Sequence, residues 1–264
     1  MKLGVIGAGN MASAIIGGIV NKGIMKGNEI ICSSPVEAER KKAEESFGIN
    51  TTADNKEVVD KAEILLLAVK PQVIPVVVEE IKASVKEDQL IISIVAGKSI
   101  AWYKEAFGKE LKLIRTMPNT PALVGEGMTG VSPAPAVSEE ELGKALEILG
   151  AFGKAEVVPE NLMDAVVSVS GSSPAYVFMM IEAMADGAVK LGMPRNKAYT
   201  FAAQAVLGSA KMVLETGKHP GELKDMVCSP AGTTIEAVQV LEEAGFRASL
   251  IDAMEACAEV SRRL

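Results

Sequence analysis

Residues 5–12 read Val5-Ile6-Gly7-Ala8-Gly9-Asn10-Met11-Ala12, a glycine turn spaced G-x-G-x-x-A directly after a short apolar strand and directly before a helical pattern. In that context the residue types suit a pyrophosphate. Gly7 permits the tight turn, Gly9 lets backbone approach an anion, Ala12 lets helix pack on strand, and the helix N-terminus faces the phosphates. Asn10 and Met11 then lie over the cofactor backbone. A glycine turn that binds nothing is the competing account, and it is the weaker one where all three elements stand in order.

The second strand of such a unit ordinarily ends in a carboxylate that holds the adenosine ribose of NAD. Here it ends Cys32-Ser33-Ser34-Pro35, two hydroxyls ahead of a helix N-terminus that could receive a 2′-phosphate, so the expected cofactor is NADPH, with NADH left open. Arg40, Lys41 and Lys42 follow one to two turns later, as added positive potential or as a solvated helix face. Ser34 has a second reading, because Ser34-Pro35-Val36-Glu37 has the spacing of a capping box with proline at the first helical position, and Glu37 could reach a ribose hydroxyl.

Further along, Ala68-Val69-Lys70-Pro71, Val95-Ala96-Gly97-Lys98 and Arg115-Thr116-Met117-Pro118-Asn119-Thr120-Pro121 each close a strand. Singly they read as strand-to-loop punctuation; together they line one sheet edge, where ligands of such sheets bind. The second half carries Val169-Ser170-Gly171-Ser172-Ser173-Pro174-Ala175, His219-Pro220-Gly221 and Cys228-Ser229-Pro230-Ala231-Gly232-Thr233-Thr234-Ile235. The last delivers two threonines to a helix N-terminus, presenting backbone N–H groups and hydroxyls together, which suits a carboxylate beside a hydrogen-bond donor. Plain N-capping by Thr233 or Thr234 fits the spacing equally well. His219, the one histidine, reads as the residue before a proline-started helix rather than as a catalyst.

The elements that must position these groups alternate. Strands are expected at Lys2–Ile6, Glu29–Cys32, Ile64–Val69, Leu90–Ile94 and Lys112–Arg115, with helices at Met11–Asn21, Val36–Phe47, Ile74–Ala83 and Ile100–Phe107. This is the pattern of an α/β doubly wound, Rossmann-type sheet. After Pro159 strand-like runs vanish and helical segments follow one another, so the expected division is 1–160 for a dinucleotide-binding domain and 161–264 for an all-α domain. Within the latter, Ala175–Ile181 is apolar on every side, with Glu182, Asp186 and Lys190 as one thin polar stripe. Such a helix must be buried all round, by a partner subunit or by its own neighbouring helices.

Composition narrows the partners. A formal charge of −7 in 264 residues argues against a nucleic-acid surface and leaves any anion site to local donors. Cys32, Cys228 and Cys257 are widely spaced and lack histidines at zinc spacing, so neither a disulfide framework nor a metal site is indicated, and free thiols suit a reducing cytoplasm. No apolar signal segment precedes the first glycine turn, and the apolar run Ile64–Val78 is broken by Lys70, Pro71, Gln72 and Pro75, so no membrane segment is expected.

The motifs Gly7–Ala12, Ser33-Ser34-Pro35, Ala68–Pro71, Met117–Pro121, His219–Gly221 and Ser229–Thr234, in this order and spacing, resemble those of pyrroline-5-carboxylate reductases over nearly the whole chain. The resemblance implies an N-terminal Rossmann domain and a helical C-terminal domain interlocked with that of a second subunit, often in a decamer of five dimers. It implies hydride reduction of a cyclic imine, 1-pyrroline-5-carboxylate, to L-proline. The implied cofactor-binding residues are Gly7, Gly9, Asn10, Met11, Ser33, Ser34, Asn55, Ala68, Val69, Lys70, Pro71, Ala96 and Asn119. Substrate-binding residues are Val227, Ala231, Gly232, Thr233 and Thr234, with Thr234 as donor to the ring nitrogen, the helix bearing it coming from the dimer partner. The chain departs from the family pattern at Ser173 and Ala231, where glycine is usual; an alanine at 231 is unfavourable if that position needs positive φ. A β-hydroxyacid dehydrogenase, which shares the two-part plan, needs a general-acid lysine on the first long C-terminal helix, and none lies between Pro174 and Ala185. A nucleotide-responsive binding protein without turnover is the rival from another class.

Overall fold

The computed structural model describes residues 2–263, which form two compact units, one running to Ser172 and taking in the residues from Cys257 onward, the other Ser173–Ala256. The first unit is built on one eight-stranded sheet in the order β3-β2-β1-β4-β5-β6-β7-β8. Its strands are β1 (Leu3–Ile6), β2 (Ile30–Ser33), β3 (Asn50–Thr52), β4 (Ile64–Leu67), β5 (Leu90–Ser93), β6 (Lys112–Met117), β7 (Gly127–Pro133) and β8 (Gly153–Val157). All neighbours pair in parallel except β6 with β7.

The central strands are unbroken aliphatic runs because both sheet faces are covered, which leaves no polar side to alternate with. On one face Ile15, Ile16 and Ile19 of α1 (Asn10–Asn21), Ala43 of α2 (Glu37–Phe47), and Ile148 and Leu149 of α6 (Glu139–Leu149) pack with Leu3, Val5 and Leu66. On the other, Val58 and Val59 of α3 (Asn55–Lys61), Ile74 and Val78 of α4 (Ile74–Ile81), and Tyr103 and Phe107 of α5 (Ile100–Phe107) pack with Ile6, Leu65 and Leu67. A short helix, α7 (Met163–Val166), and a π-turn at Val167–Gly171 complete the unit.

The five expected strands all form, with ends shifted by one or two residues: β4 stops at Leu67 rather than Val69, and β6 continues to Met117. Three strands lie outside the expected set. β3 is a three-residue polar edge strand, and β7 reads Gly-Met-Thr-Gly-Val-Ser-Pro, without a β-branched run. β8 alternates charge with small residues and is largely exposed. The expected capping box at Ser34 does not form. Helix α2 begins at Glu37 with Val36 as its N-cap, so Ser34 stands two residues upstream and its hydroxyl accepts from the Val36 N–H at 3.1 Å.

The second unit is helical: α8 (Ser173–Lys190), α9 (Arg195–Thr216), α10 (Pro220–Val227), α11 (Thr233–Glu243) and most of α12 (Phe246–Ser261). Its own helices do not bury the all-round apolar segment of α8. Phe178 and Met179 stay 62% and 69% exposed, and Ala185 is the one buried residue of that helix. Among the described residues, no helix is long and apolar enough to cross a membrane.

One ion pair ties α6 to the sheet and makes stability sensitive to acid. Glu141 closes a capping box with Ser138 and meets Lys112 of β6 at 2.7 Å. The Lys112 ammonium, then the Ser138 N–H, hold its carboxyl down at about 2, against an ordinary 4.5. A depressed acid contributes stability above its unfolded pKa and loses it as pH falls through the folded one. Denaturant unfolding of wild type against Glu141→Gln should therefore show about 1–2 kcal/mol of wild-type advantage near pH 6 that disappears between about pH 4.5 and 2.

Candidate active site

At the carboxyl edge of the sheet the tips of β1, β2 and β4 are knitted by backbone bonds, Gly7 N–H to Ser33 O and Ala68 N–H to Ile6 O, both 2.9 Å. Gly7 has φ +106°, and a Cβ there would stand 2.6 Å from the Ala68 carbonyl oxygen, so glycine is required by both conformation and space. Gly9 is the N-cap of α1 and supplies no capping side chain; a Cβ on it would point into open space, the room a pyrophosphate needs to reach the helix N–H groups. No acidic residue lies in the first turn of α1, and Ala12 is fully buried against the strand. Asn10 is exposed and Met11 half-buried at the start of the helix. This cradle fits a dinucleotide pyrophosphate.

The tip of β2 is more crowded. Ser33 donates to Asn55 Oδ1 at 2.7 Å, and the Asn55 amide donates to Glu80 Oε2 at 2.8 Å. Ser34 donates to Glu39 Oε2 at 2.6 Å, while Arg40 Nη1 donates to the Ser34 carbonyl at 2.6 Å. Arg40 is thus anchored to the strand tip rather than lying along a solvated face, and Glu37 is held in an exposed pair with Lys41. Cys32 beneath is buried, and burial, reinforced by the Glu39 charge, pushes its thiol up to about 12.

Ala68, Val69 and Pro71 are half-buried after β4, and the Lys70 carbonyl accepts the Val73 and Ile74 N–H groups that begin α4. Ala96 follows β5 on a loop fixed from below. Ser93 bonds Tyr103 OH at 2.7 Å and accepts from Val95 N–H, and Thr116 donates to the Ser93 carbonyl at 2.9 Å. Burial raises the Tyr103 phenol well above its ordinary value, so it stays protonated as a structural donor or acceptor. Asn119 is buried with its amide used at both ends, donating to Ser170 O at 3.0 Å and accepting from Met128 N–H at 2.8 Å.

The expected cofactor residues thus share one edge of one sheet, whereas the expected substrate residues belong to the second unit. There His219 caps α10 by accepting from Gly221 N–H at 3.1 Å, the structural part its sequence context suggests. Val227 ends α10 and is exposed. Gly232 N–H bonds back to Ser229 O at 3.0 Å, closing a turn with Pro230 first and Ala231 second at its centre. Helix α11 starts at Thr233 with Gly232 as N-cap and no side-chain cap, so neither Thr233 nor Thr234 is an N-cap. Both hydroxyls sit in the first helical turn beside its unpaired N–H groups. Sequence reasoning missed Glu39, Glu80 and the Ser93–Tyr103 pair. The first could have been sought among acids in the first turn of α2; the others depend on helix register that no motif announces.

Comparison with known proteins supplies the lineage. A family profile described as pyrroline-5-carboxylate reductase dimerisation matches residues 160–264, and one described as NADP oxidoreductase, coenzyme F420-dependent, matches residues 2–97. The chain is 53% identical over 263 residues to the pyrroline-5-carboxylate reductase of Escherichia coli K12, covering 100% of this chain and 98% of that one. The chain belongs to the pyrroline-5-carboxylate reductase family. The reductase of Methanosarcina acetivorans is 48% identical over 100% of this chain and 97% of its own. The solved Coxiella burnetii reductase has a TM-score of 0.93 at 34% identity, covering 99% of this chain and 97% of that one. A Plasmodium falciparum reductase solved with NADP bound has a TM-score of 0.90 at 32% identity, covering 100% and 97%.

Against that family pattern the two departures differ in cost. Ser173 starts α8 with ordinary backbone, whereas Ala231 has φ +55° and is the sole non-glycine residue with positive φ among those described. Proline first and a left-handed residue second is the type II arrangement, which favours glycine second. Ala231→Gly should therefore raise stability by about 0.5–1 kcal/mol, the relieved left-handed strain exceeding the added chain entropy, as read by the denaturation midpoint.

Proposed function

We propose that this chain reduces 1-pyrroline-5-carboxylate to L-proline, the final step of proline biosynthesis, with NADPH or NADH as reductant. The observation that carries the reading is the Ser229–Thr234 turn, whose glycine N-cap leaves N–H groups and two threonine hydroxyls together at a helix start. The bound cofactor supplies a hydride to the imine carbon. The Ala231–Thr233 backbone cradles the substrate carboxylate, the Gly232 N–H remaining in the turn on Ser229 O, and the Thr234 hydroxyl donates to the ring nitrogen, which takes up one proton from solvent as the C=N bond becomes C–N. An imine activated at nitrogen is already electrophilic, so orientation rather than a tuned acid–base pair does most of the work.

The cofactor set is Gly7, Gly9, Asn10, Met11, Ser33, Ser34, Asn55, Ala68–Pro71, Ala96 and Asn119. Residues 1–160 bind dinucleotide, and 161–264 bind substrate and associate. A homodimer is the minimum assembly, its partner supplying the Thr234 helix, and a decamer of five dimers is the larger state that the family implies. The protein acts in the cytoplasm, with neither nucleic acid nor membrane as partner. Exposure of Phe178 and Met179 supports association. Sedimentation at assay concentrations should therefore find no active monomer.

Purified protein should oxidise NADPH or NADH on addition of pyrroline-5-carboxylate; no loss of nicotinamide absorbance with either would remove the reading. Thr234→Ala should lose about ten- to 150-fold in kcat/KM, the equivalent of about 1.5–3 kcal/mol, with Thr234→Ser largely active. Since Gly232 is the N-cap, the alanine variant should keep its melting temperature. A fully active Thr234→Ala protein would take this residue out of the mechanism.

A further inference from the structure

We infer that Glu39 is a specificity-determining residue at the adenosine end of the cofactor site, supplying from α2 the carboxylate that the tip of β2 lacks and restraining the preference for NADPH over NADH. The inference rests on the dinucleotide reading above. Its basis is the commitment of both serine hydroxyl protons at the strand tip. A 2′-phosphate is an acceptor and needs the Ser34 proton, but Ser34 gives that proton to Glu39 at 2.6 Å and takes the Val36 N–H on its oxygen at 3.1 Å. The neighbouring Ser33 proton goes to Asn55, whose amide in turn serves Glu80.

Both serines are buried under these contacts, at 1% and 2% exposure, so a phosphate cannot take their protons without displacing a present acceptor. The charges agree. Glu39 and Glu80 put two carboxylates at the tip beside the one guanidinium of Arg40, which holds the Ser34 carbonyl through Nη1. The helix N-terminus that would favour an anion carries Glu37 and Glu39 in its first turn, unlike α1, whose first turn has no acid.

An unphosphorylated ribose has the opposite requirement. Its 2′-hydroxyl is a donor, and a carboxylate five residues beyond Ser34 in sequence but bonded to it in space is an acceptor of the kind that ordinarily ends this strand. NADH is therefore accommodated with Glu39 in place. NADPH requires Glu39 to leave Ser34 and turn away from a doubly charged group.

The test is equilibrium binding of NADPH and of NADH to the whole protein by nicotinamide fluorescence, for wild type, Glu39→Gln and Glu39→Ala. Both variants should raise the ratio of the NADH to the NADPH dissociation constant by about five- to tenfold, the size expected for removing one charge beside a dianion in solvent. NADPH should tighten and NADH hold or weaken. The gain should shrink as salt is raised from 0.05 to about 0.5 M, because the effect is Coulombic. A ratio that stays within about twofold of wild type in both variants, or an equal change for both cofactors, would leave Glu39 as a loop support and overturn the inference while leaving the dinucleotide reading standing. Wild-type protein that binds neither cofactor would overturn both.

Discussion

The arrangement of the sheet edge depends on one close approach, that of the Gly7 backbone to the end of β4. With the Ala68 carbonyl oxygen 2.6 Å from where a Cβ would be, any side chain at position 7 would push β1 off β4 and lift the start of α1. Because Gly7 N–H also binds Ser33 O, the same displacement would disturb β2. Three strand tips and the N-terminus of α1 are therefore located by one missing methyl group. The surrounding core makes the location rigid, since Ile6, Leu67, Val5 and Leu66 beneath it are essentially inaccessible to solvent and cannot shift independently in a close-packed interior.

Electrostatics follows from how polar groups at that edge are spent. The molecule has an excess of acids, so an anionic ligand cannot rely on general attraction and must find local donors. At α1 the donors are backbone N–H groups with no acid in the helix's first turn. At the tip of β2 the donors are hydroxyls already given to Asn55 and Glu39. One end of the edge is open to phosphate and the other guarded against it, and the difference lies in the first turns of two helices rather than in the strands.

Much of this was legible in the sequence for a physical reason. Gly7 and Ala12 are fixed by packing that depends only on local spacing, and aliphatic runs such as Ile64–Leu67 can hardly be anything but strands covered on both faces. Short polar strands were not legible: Asn50–Thr52 and Gly127–Pro133 are strands because a neighbour offers them an edge, which no local pattern encodes. The capping reading of Ser34 failed because the chain bends at Pro35 and Val36 is extended, which delays the helix to Glu37. That delay turns the Ser34 hydroxyl toward Glu39 instead of toward the helix axis. The threonine capping reading failed similarly, since Gly232 already occupies the cap.

The second unit raises a question of what holds its turn in place. Neither α10 nor α11 contains a buried residue, yet the turn between them keeps Ala231 in a left-handed conformation that costs about 1–2 kcal/mol. A strained turn between two uncovered helices has little packing of its own to hold it. The same unit exposes Phe178, Met179, Leu207, Leu214 and Ile251, each able to contribute about 1.5–3 kcal/mol when fully covered. Covering those side chains supplies many times the energy stored at Ala231. If chains associate as proposed, that energy is available to hold the Ser229–Thr234 turn and its threonine hydroxyls in a fixed geometry.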